Sequence, residues 1–172
     1  MSLFDYIDKA GVIGYLLVIL FTIGMTLIVW KFFHLVYVRV TKSKYIYETL
    51  QEIKDVDDVS VAIKIAEKSL DEKMVQLESG MSSIKIIASI SPLLGLLGTV
   101  IGILTSFEAI ASTGLGDPSK FANGISLALI TTVIGLIVAI PHYIAFNTFD
   151  RTIYLMESKL AKELDLILVS DK

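Results

Sequence analysis

The chain has 172 residues, 54% of them apolar, with 15 Lys and Arg against 18 Asp and Glu and no Cys. Soluble domains carry roughly 45–50% apolar residues, and a formal net charge of −3 gives no electrostatic reason to bind nucleic acid. The lack of Cys excludes a thiol nucleophile, a Cys-bound metal, a thiol redox switch and a disulfide scaffold.

The charges are unevenly placed. Ala10–Trp30 (21 residues), Ile86–Phe107 (22) and Phe121–Phe149 (29) contain no Asp, Glu, Lys or Arg. A hydrocarbon core of about 30 Å takes roughly 20 helical residues at about 1.5 Å each. Three such stretches exclude a soluble enzyme and predict an all-α membrane protein with three transmembrane helices.

Residues 1–9 place Leu3, Phe4 and Ile7 beside Asp5, Asp8 and Lys9. This reads as a short amphipathic helix on the membrane surface or as a frayed terminus. A cleaved signal peptide has a basic start and an apolar run of about 7–15 residues, and neither fits here. The first span is expected over 10–34. With the N-terminus outside and the C-terminus inside, 13 Lys and Arg fall on the cytoplasmic side and only Lys9 and Lys120 outside.

Residues 35–83 form the cytoplasmic segment. From 31 to 85 there are nine basic and nine acidic residues, so the region has no bias toward anions. A helix is expected over about 43–54. Val59, Ala62, Ile63, Ala66, Leu70, Met74 and Leu77 recur at helical spacing and predict a second, amphipathic helix. Asp57 and Asp58 can cap its start, and the helix is expected to run on into the second span with only Gly80 to weaken it. The remaining segments are a second span (84–110), an outer loop (111–120), a third span (121–149) and a C-terminal helix (150–172). The last carries Ile153, Leu155, Met156, Leu160, Leu164, Ile167 and Leu168.

Chemistry is expected in the second and third spans. At about 100° per residue, Ala88, Pro92, Gly95, Gly102 and Ser106 fall within about 60° of Thr99, opposite Ile90, Leu94, Leu97, Ile101 and Leu104. In the third span Ala128, Gly135 and Ala139 cluster likewise around Thr132, next to Thr131. Each helix thus has a small-residue stripe with a threonine near its middle. The stripes either pack helices closely, as the Gly98-x-x-x-Gly102 spacing does, or line a pore or groove. Pro92 and Pro141 free the carbonyls of Ala88 and Ile137 and are expected to kink their helices. His142 is either an interfacial side chain snorkelling outward or a proton relay. Glu108 at the outer end of the second span is the other candidate relay. No metal-ligand, cofactor or catalytic cluster stands out; the chain is not expected to be an enzyme.

The run from Ser91 to Leu104, with Pro92, Gly95, Gly98, Thr99 and Gly102, followed by Phe107, Ile110 and Ala111, resembles the second span of the ExbB/TolQ/MotA family of proton-driven motor proteins. Ala122 to Pro141, followed by Asn147, Phe149 and Arg151, resembles its third span, and the ExbB/TolQ branch is the nearest. The resemblance is dense over about 84–151 and rests elsewhere on topology. It implies a multi-pass subunit of the Gram-negative inner membrane, with residues 1–9 and 111–120 periplasmic, assembled as a pentameric ring. It further implies a single-span ExbD/TolR-like partner supplying a membrane Asp, and a TonB- or TolA-like protein receiving the work. On this resemblance Thr99 and Thr132 line the proton path, with Thr131, Gly95, Gly102, Ser106 and Gly135 beside them; no cofactor is implied.

Two departures stand out. Many members carry a glutamate where this chain has Leu127, so either that acid is dispensable or Thr131, His142 or Glu108 substitutes for it. The cytoplasmic segment is also shorter than in the better-known members. Three function classes remain in play: an ExbB-like or TolQ-like motor subunit, a solute transporter, and a structural scaffold. Three spans without an inverted repeat or a buried charge fit a lone transporter poorly.

Overall fold

The computed structural model describes residues 3–54, 56, 58–113 and 118–170. These form six α-helices and, among the described residues, no strand: α1 (Leu3–Lys9), α2 (Gly11–Val40), α3 (Lys42–Ile53), α4 (Val59–Glu78), α5 (Met81–Thr113) and α6 (Pro118–Ser170). Pro118 opens α6, where its fixed φ suits a helix start and its missing N–H costs nothing. Pro92 and Pro141 lie inside α5 and α6, and each helix continues through its proline.

The expected start of α4 is present. Asp58 accepts from the Ser60 amide at 2.8 Å and from the Ser60 hydroxyl at 2.8 Å, and so serves as the N-cap. These hydrogen bonds, the hydroxyl's first, hold the Asp58 carboxyl below the usual carboxylate range. Asp57 lies outside the described residues. Helix α4 does not run on into α5. Gly80 has φ +83°, a left-handed conformation that side chains resist, and it turns the chain between the two helices.

Three of the helices, Gly11–Val40, Met81–Ser112 and Phe121–Leu164, are long and apolar enough to cross a membrane. Their outward side chains include Leu16, Ile19 and Ile23 on α2, Leu93, Leu96 and Val100 on α5, and Leu129, Leu136 and Ile140 on α6, all exposed. So continuous an apolar surface suits hydrocarbon rather than water.

The chain divides into two compact units, Met1–Ile28 with Ser83–Ala145, and Val29–Ser82 with Phe146–Lys172. In the first, Leu17, Ile87 and Val138 form a buried cluster joined by Ile13, Leu20, Phe21, Leu94 and Ile134, which packs α2 onto α5 and α6. In the second, Val38, Leu70, Met74, Leu77, Leu160 and Leu164 form the core. Ile53, Ala62 and Ala66 make a smaller cluster between α3 and α4. The amphipathic residues expected on α4 and α6 supply most of this core. Lys73 joins α3 to α4 by donating to the Thr49 hydroxyl at 2.9 Å and pairing with Glu48 at 3.9 Å.

Lys31, one of the 13 basic residues expected from sequence on the cytoplasmic side, is buried in the second unit. Its ammonium donates to the carbonyls of Leu77 and, at 2.8 Å, Ser79. It thereby closes the C-terminal end of α4, where unpaired carbonyls and the helix dipole favour a cation. Trp30 lies against Gly80, 3.5 Å from where a side-chain carbon at that position would sit, and stacks on His34 at 5.5 Å.

Candidate functional site

The second and third spans meet along a seam of small residues. A Cβ at Gly95 would lie 2.9 Å from the Thr131 carbonyl oxygen and 3.1 Å from the Thr132 Cα. At Gly135 it would lie 2.7 Å from the Ser91 carbonyl oxygen, and at Gly102 2.7 Å from that of Gly124. At Gly98 it would strike the Thr131 side chain, and at Gly124 that of Ser106. As contact positions rise along α5 they fall along α6, so the helices are antiparallel with their backbones in near contact. Only glycine permits that approach.

Each hydroxyl in the seam is satisfied within its own hairpin. Thr131 is buried and donates to the Ala128 carbonyl at 2.9 Å. Ser106 is buried and reaches the carbonyls of Gly102 at 2.9 Å and Phe121 at 3.3 Å. Ser91 is buried and donates to Ile87 at 2.6 Å. Within this chain, then, Gly95, Gly102, Gly135, Thr131 and Ser106 are covered by the facing helix.

Thr99 and Thr132 are placed differently. Both are half-exposed. The Thr99 hydroxyl donates to the Leu96 carbonyl at 2.5 Å, and that of Thr132 crosses the seam to the Gly95 carbonyl at 3.4 Å. At about 100° per residue, Ser91, Gly95, Gly98, Gly102 and Ser106 lie about 20–100° to one side of Thr99. Gly124, Ala128, Thr131 and Gly135 lie about 40–100° to the same side of Thr132. In antiparallel helices an equal rotational sense means a common face, so both threonines border the seam on one face of the hairpin. The α2-packing residues Ile87, Leu94, Ile134 and Val138 lie further round in that same sense, about 120–160° from the threonines and beyond the seam. Thus α2 covers one face of the hairpin, and the threonines stand at the margin of the other.

That second face exposes the apolar side chains of Leu96, Ile103, Leu136 and Ile140. It also holds a cavity of about 230 Å³ lined by Ala88, Pro92, Ala139, Ile140, Tyr143 and Ile144. The two proline positions are thereby separated: Pro92 borders this cavity, whereas Pro141 is half-buried beside His142.

The two candidate relays do not come together with the threonines. Glu108 is exposed on α5 at about 180° from Thr99. His142 is fully buried, not snorkelling outward; its Nδ1 lies 2.6 Å from the Val138 carbonyl oxygen and its ring edge packs on Gly24 of α2. Leu127 is half-buried and borders a cavity of about 310 Å³ with Lys9, Thr105, Asn123, Gly124 and Ser126. Among the described residues no group of His, Asp and Glu is placed to hold a metal.

Sequence reasoning missed Gly24, Gly124 and Ser91. Gly124 and Ser91 carried a readable signal, each lying one turn from a small residue of the expected stripes, Ala128 and Gly95, whereas the residues one turn from Gly24 (Leu20, Phe21, Leu27 and Ile28) are all large.

A family model described as the MotA/TolQ/ExbB proton channel family matches residues 38–162. The chain is 44% identical over 73 residues to biopolymer transport protein exbB1 of Vibrio cholerae, covering 42% of this chain and 32% of that protein. It is 39% identical over 94 residues to the Tol-Pal system protein TolQ of Pseudomonas aeruginosa, covering 55% and 39%. It is 40% identical over 96 residues to biopolymer transport protein ExbB of Pseudomonas putida, covering 55% and 29%. The matched stretch spans well under half the length of each of these relatives.

Proposed function

The chain belongs to the MotA/TolQ/ExbB proton channel family, and from that premise we propose that it is the channel subunit of an inner-membrane, energy-transducing complex of a Gram-negative bacterium. Several copies, in a ring of five, enclose the single span of an ExbD-like partner. The α5/α6 face bearing Thr99 and Thr132 lines the ring's interior, and α2 faces lipid. The N-terminus and the α5–α6 loop lie on the periplasmic side, and residues 35–83 and 150–172 lie in the cytoplasm.

The observation carrying this reading is the pair of half-exposed hydroxyls on one face, Thr132 bonded to Gly95 about one turn from Thr99. Among the described residues no helix covers that face, and apolar Leu96, Ile103, Leu136 and Ile140 are exposed on it. Hydroxyls can exchange hydrogen bonds with a carboxyl group or a water chain where hydrocarbon cannot. The spans carry no central acid of their own, so the titrating carboxylate comes from the partner. The seam glycines hold the two threonines at a fixed spacing, and Gly95 accepts directly from Thr132. Each proton crossing releases about 2.3 kcal/mol per 100 mV, which the complex passes to a TonB-like protein for outer-membrane uptake. A TolQ-like role in envelope integrity uses the same subunit chemistry, and relatives of both names resemble the chain comparably.

The test replaces Thr99 and Thr132 together by Val in the co-expressed complex. Assembly with the partner is checked by mass measurement of the solubilised complex, and energised uptake is then measured. The expected result is intact assembly with uptake reduced at least about tenfold, equivalent to about 1.4 kcal/mol in a barrier. Undiminished uptake from an assembled double variant removes the hydroxyls from the path and leaves the spans with a scaffold role.

A further inference from the structure

Among the described residues, His142 is the one fully buried ionisable side chain of the first unit. Its Nδ1 lies 2.6 Å from the Val138 carbonyl oxygen. A carbonyl can only accept, so Nδ1 carries the ring proton and Nε2 presents a bare lone pair. That nitrogen has no hydrogen-bond partner. It is pressed on Gly24, where the ring fills the space a side chain at position 24 would take. Phe21 approaches the ring edge-on, with centroids 6.1 Å apart.

We propose that His142 is a proton-binding site that latches α2 to α6, the neutral ring fitting the packed helices and the protonated ring excluding them. Uptake of one proton from water at the Nε2 lone pair creates a second N–H and a full positive charge. In the packed state that N–H meets Gly24 and no acceptor, and a buried charge without partner or water is strongly disfavoured.

Among the described residues no carboxylate faces the ring to offset the charge. On α2 no ionisable residue lies between Tyr15 and Lys31; Tyr15 is exposed and bonded to Asp8. On α5 the ionisable group at this level is Lys85, which is exposed and about 200° around the helix from Ile87, the residue packed toward α2. On α6 the adjacent Tyr143 is exposed, and the next acid, Asp150, lies more than two turns on and is also exposed. Protonation is therefore linked to separation of α2 from α6. This inference stands independently of the roles of Thr99 and Thr132, since it concerns the face of α6 turned toward α2.

The chain's lack of Cys and its mere two histidines make the test clean. In a His34→Gln background, ring-nitrogen NMR of the assembled complex in liposomes follows His142 from about pH 8 to about pH 5, an interval bracketing an ordinary imidazole. In parallel, nitroxides on cysteines placed at the exposed Ile23 and Ile144, with labelled chains diluted by unlabelled ones, report the α2–α6 distance. The expected result is ring protonation and a lengthened distance over the same pH interval, with the distance change absent in His142→Phe. A ring that stays neutral throughout, a ring that protonates at unchanged distance, or a Phe variant that still responds to pH would each overturn the proposal. Should the Phe variant fail to assemble, His142→Gln is judged by the same criterion.

Discussion

The α5/α6 seam and the core of the second unit are both made of packed helices, yet they are held together by opposite means. In the seam, Gly95, Gly102 and Gly135 let backbones come so close that an added carbon would lie within 2.7–2.9 Å of a carbonyl oxygen across the seam. In the second unit, Leu70, Met74, Leu77 and Leu160 keep the helices apart by filling the space between them. On the proposed topology, the difference follows the solvent. In water, burying large side chains is the main driving force. In a bilayer the lipid tails are as apolar as leucine, so close contact and backbone proximity must serve instead.

The contrast can be broken from either side, by adding volume to one region and removing it from the other. Gly135→Leu should have the largest effect. The obstacle is the Ser91 main-chain carbonyl, which cannot rotate away as a side chain could. Loss of the folded hairpin is expected, seen as aggregation or proteolysis of the solubilised chain, and an unchanged melting temperature would refute close packing there. Leu77→Ala should cost about 2–5 kcal/mol, as a cavity in a leucine-rich core does. Thermal unfolding of the solubilised chain measures it, and the spans should retain their helicity.

The smallest effect concerns a surface cap. Because its carboxyl is held below the usual range, Asp58 contributes stability above the ordinary carboxylate value, and this is lost as pH falls through its folded value. Asp58→Asn keeps a capping oxygen but cannot titrate. The stability difference between wild type and variant should therefore shrink as pH falls from about 7 to below about 4. A difference independent of pH would show that the charge contributes nothing.

The helices were readable because period and charge agree. Three uncharged stretches and the spacing of Ala62, Ala66, Leu70 and Met74 suffice to draw α2, α4, α5 and α6. The break at Gly80 was only half readable: a glycine can sit inside a helix or end it, and Trp30 and Lys31, about fifty residues earlier, help define the turn here. Lys31 itself misleads for the same reason. A lysine at the end of an apolar run reads as solvated, and only the fold supplies the carbonyls that bury it. The small-residue stripes were visible on a helical wheel centred on the threonines. The wheel could not say that the seam's centre lies about 60° from each threonine, because that depends on which helix faces which. That rotation separates Gly95, Gly102 and Gly135, which face a helix of their own chain, from Thr99 and Thr132 at the margin.

The hydrogen bonds of those two threonines also set a polarity. Each hydroxyl directs its only hydrogen to a backbone carbonyl, of Leu96 or of Gly95. What each hydroxyl offers in the other direction is therefore lone pairs alone. If the two threonines line the path proposed above, then while these bonds hold they form an acceptor surface, which favours a guest that brings hydrogens, such as water, hydronium or a protonated carboxylic acid, over a bare carboxylate. Selectivity for the loaded over the empty form of an acid would then be built into two side chains that carry no charge.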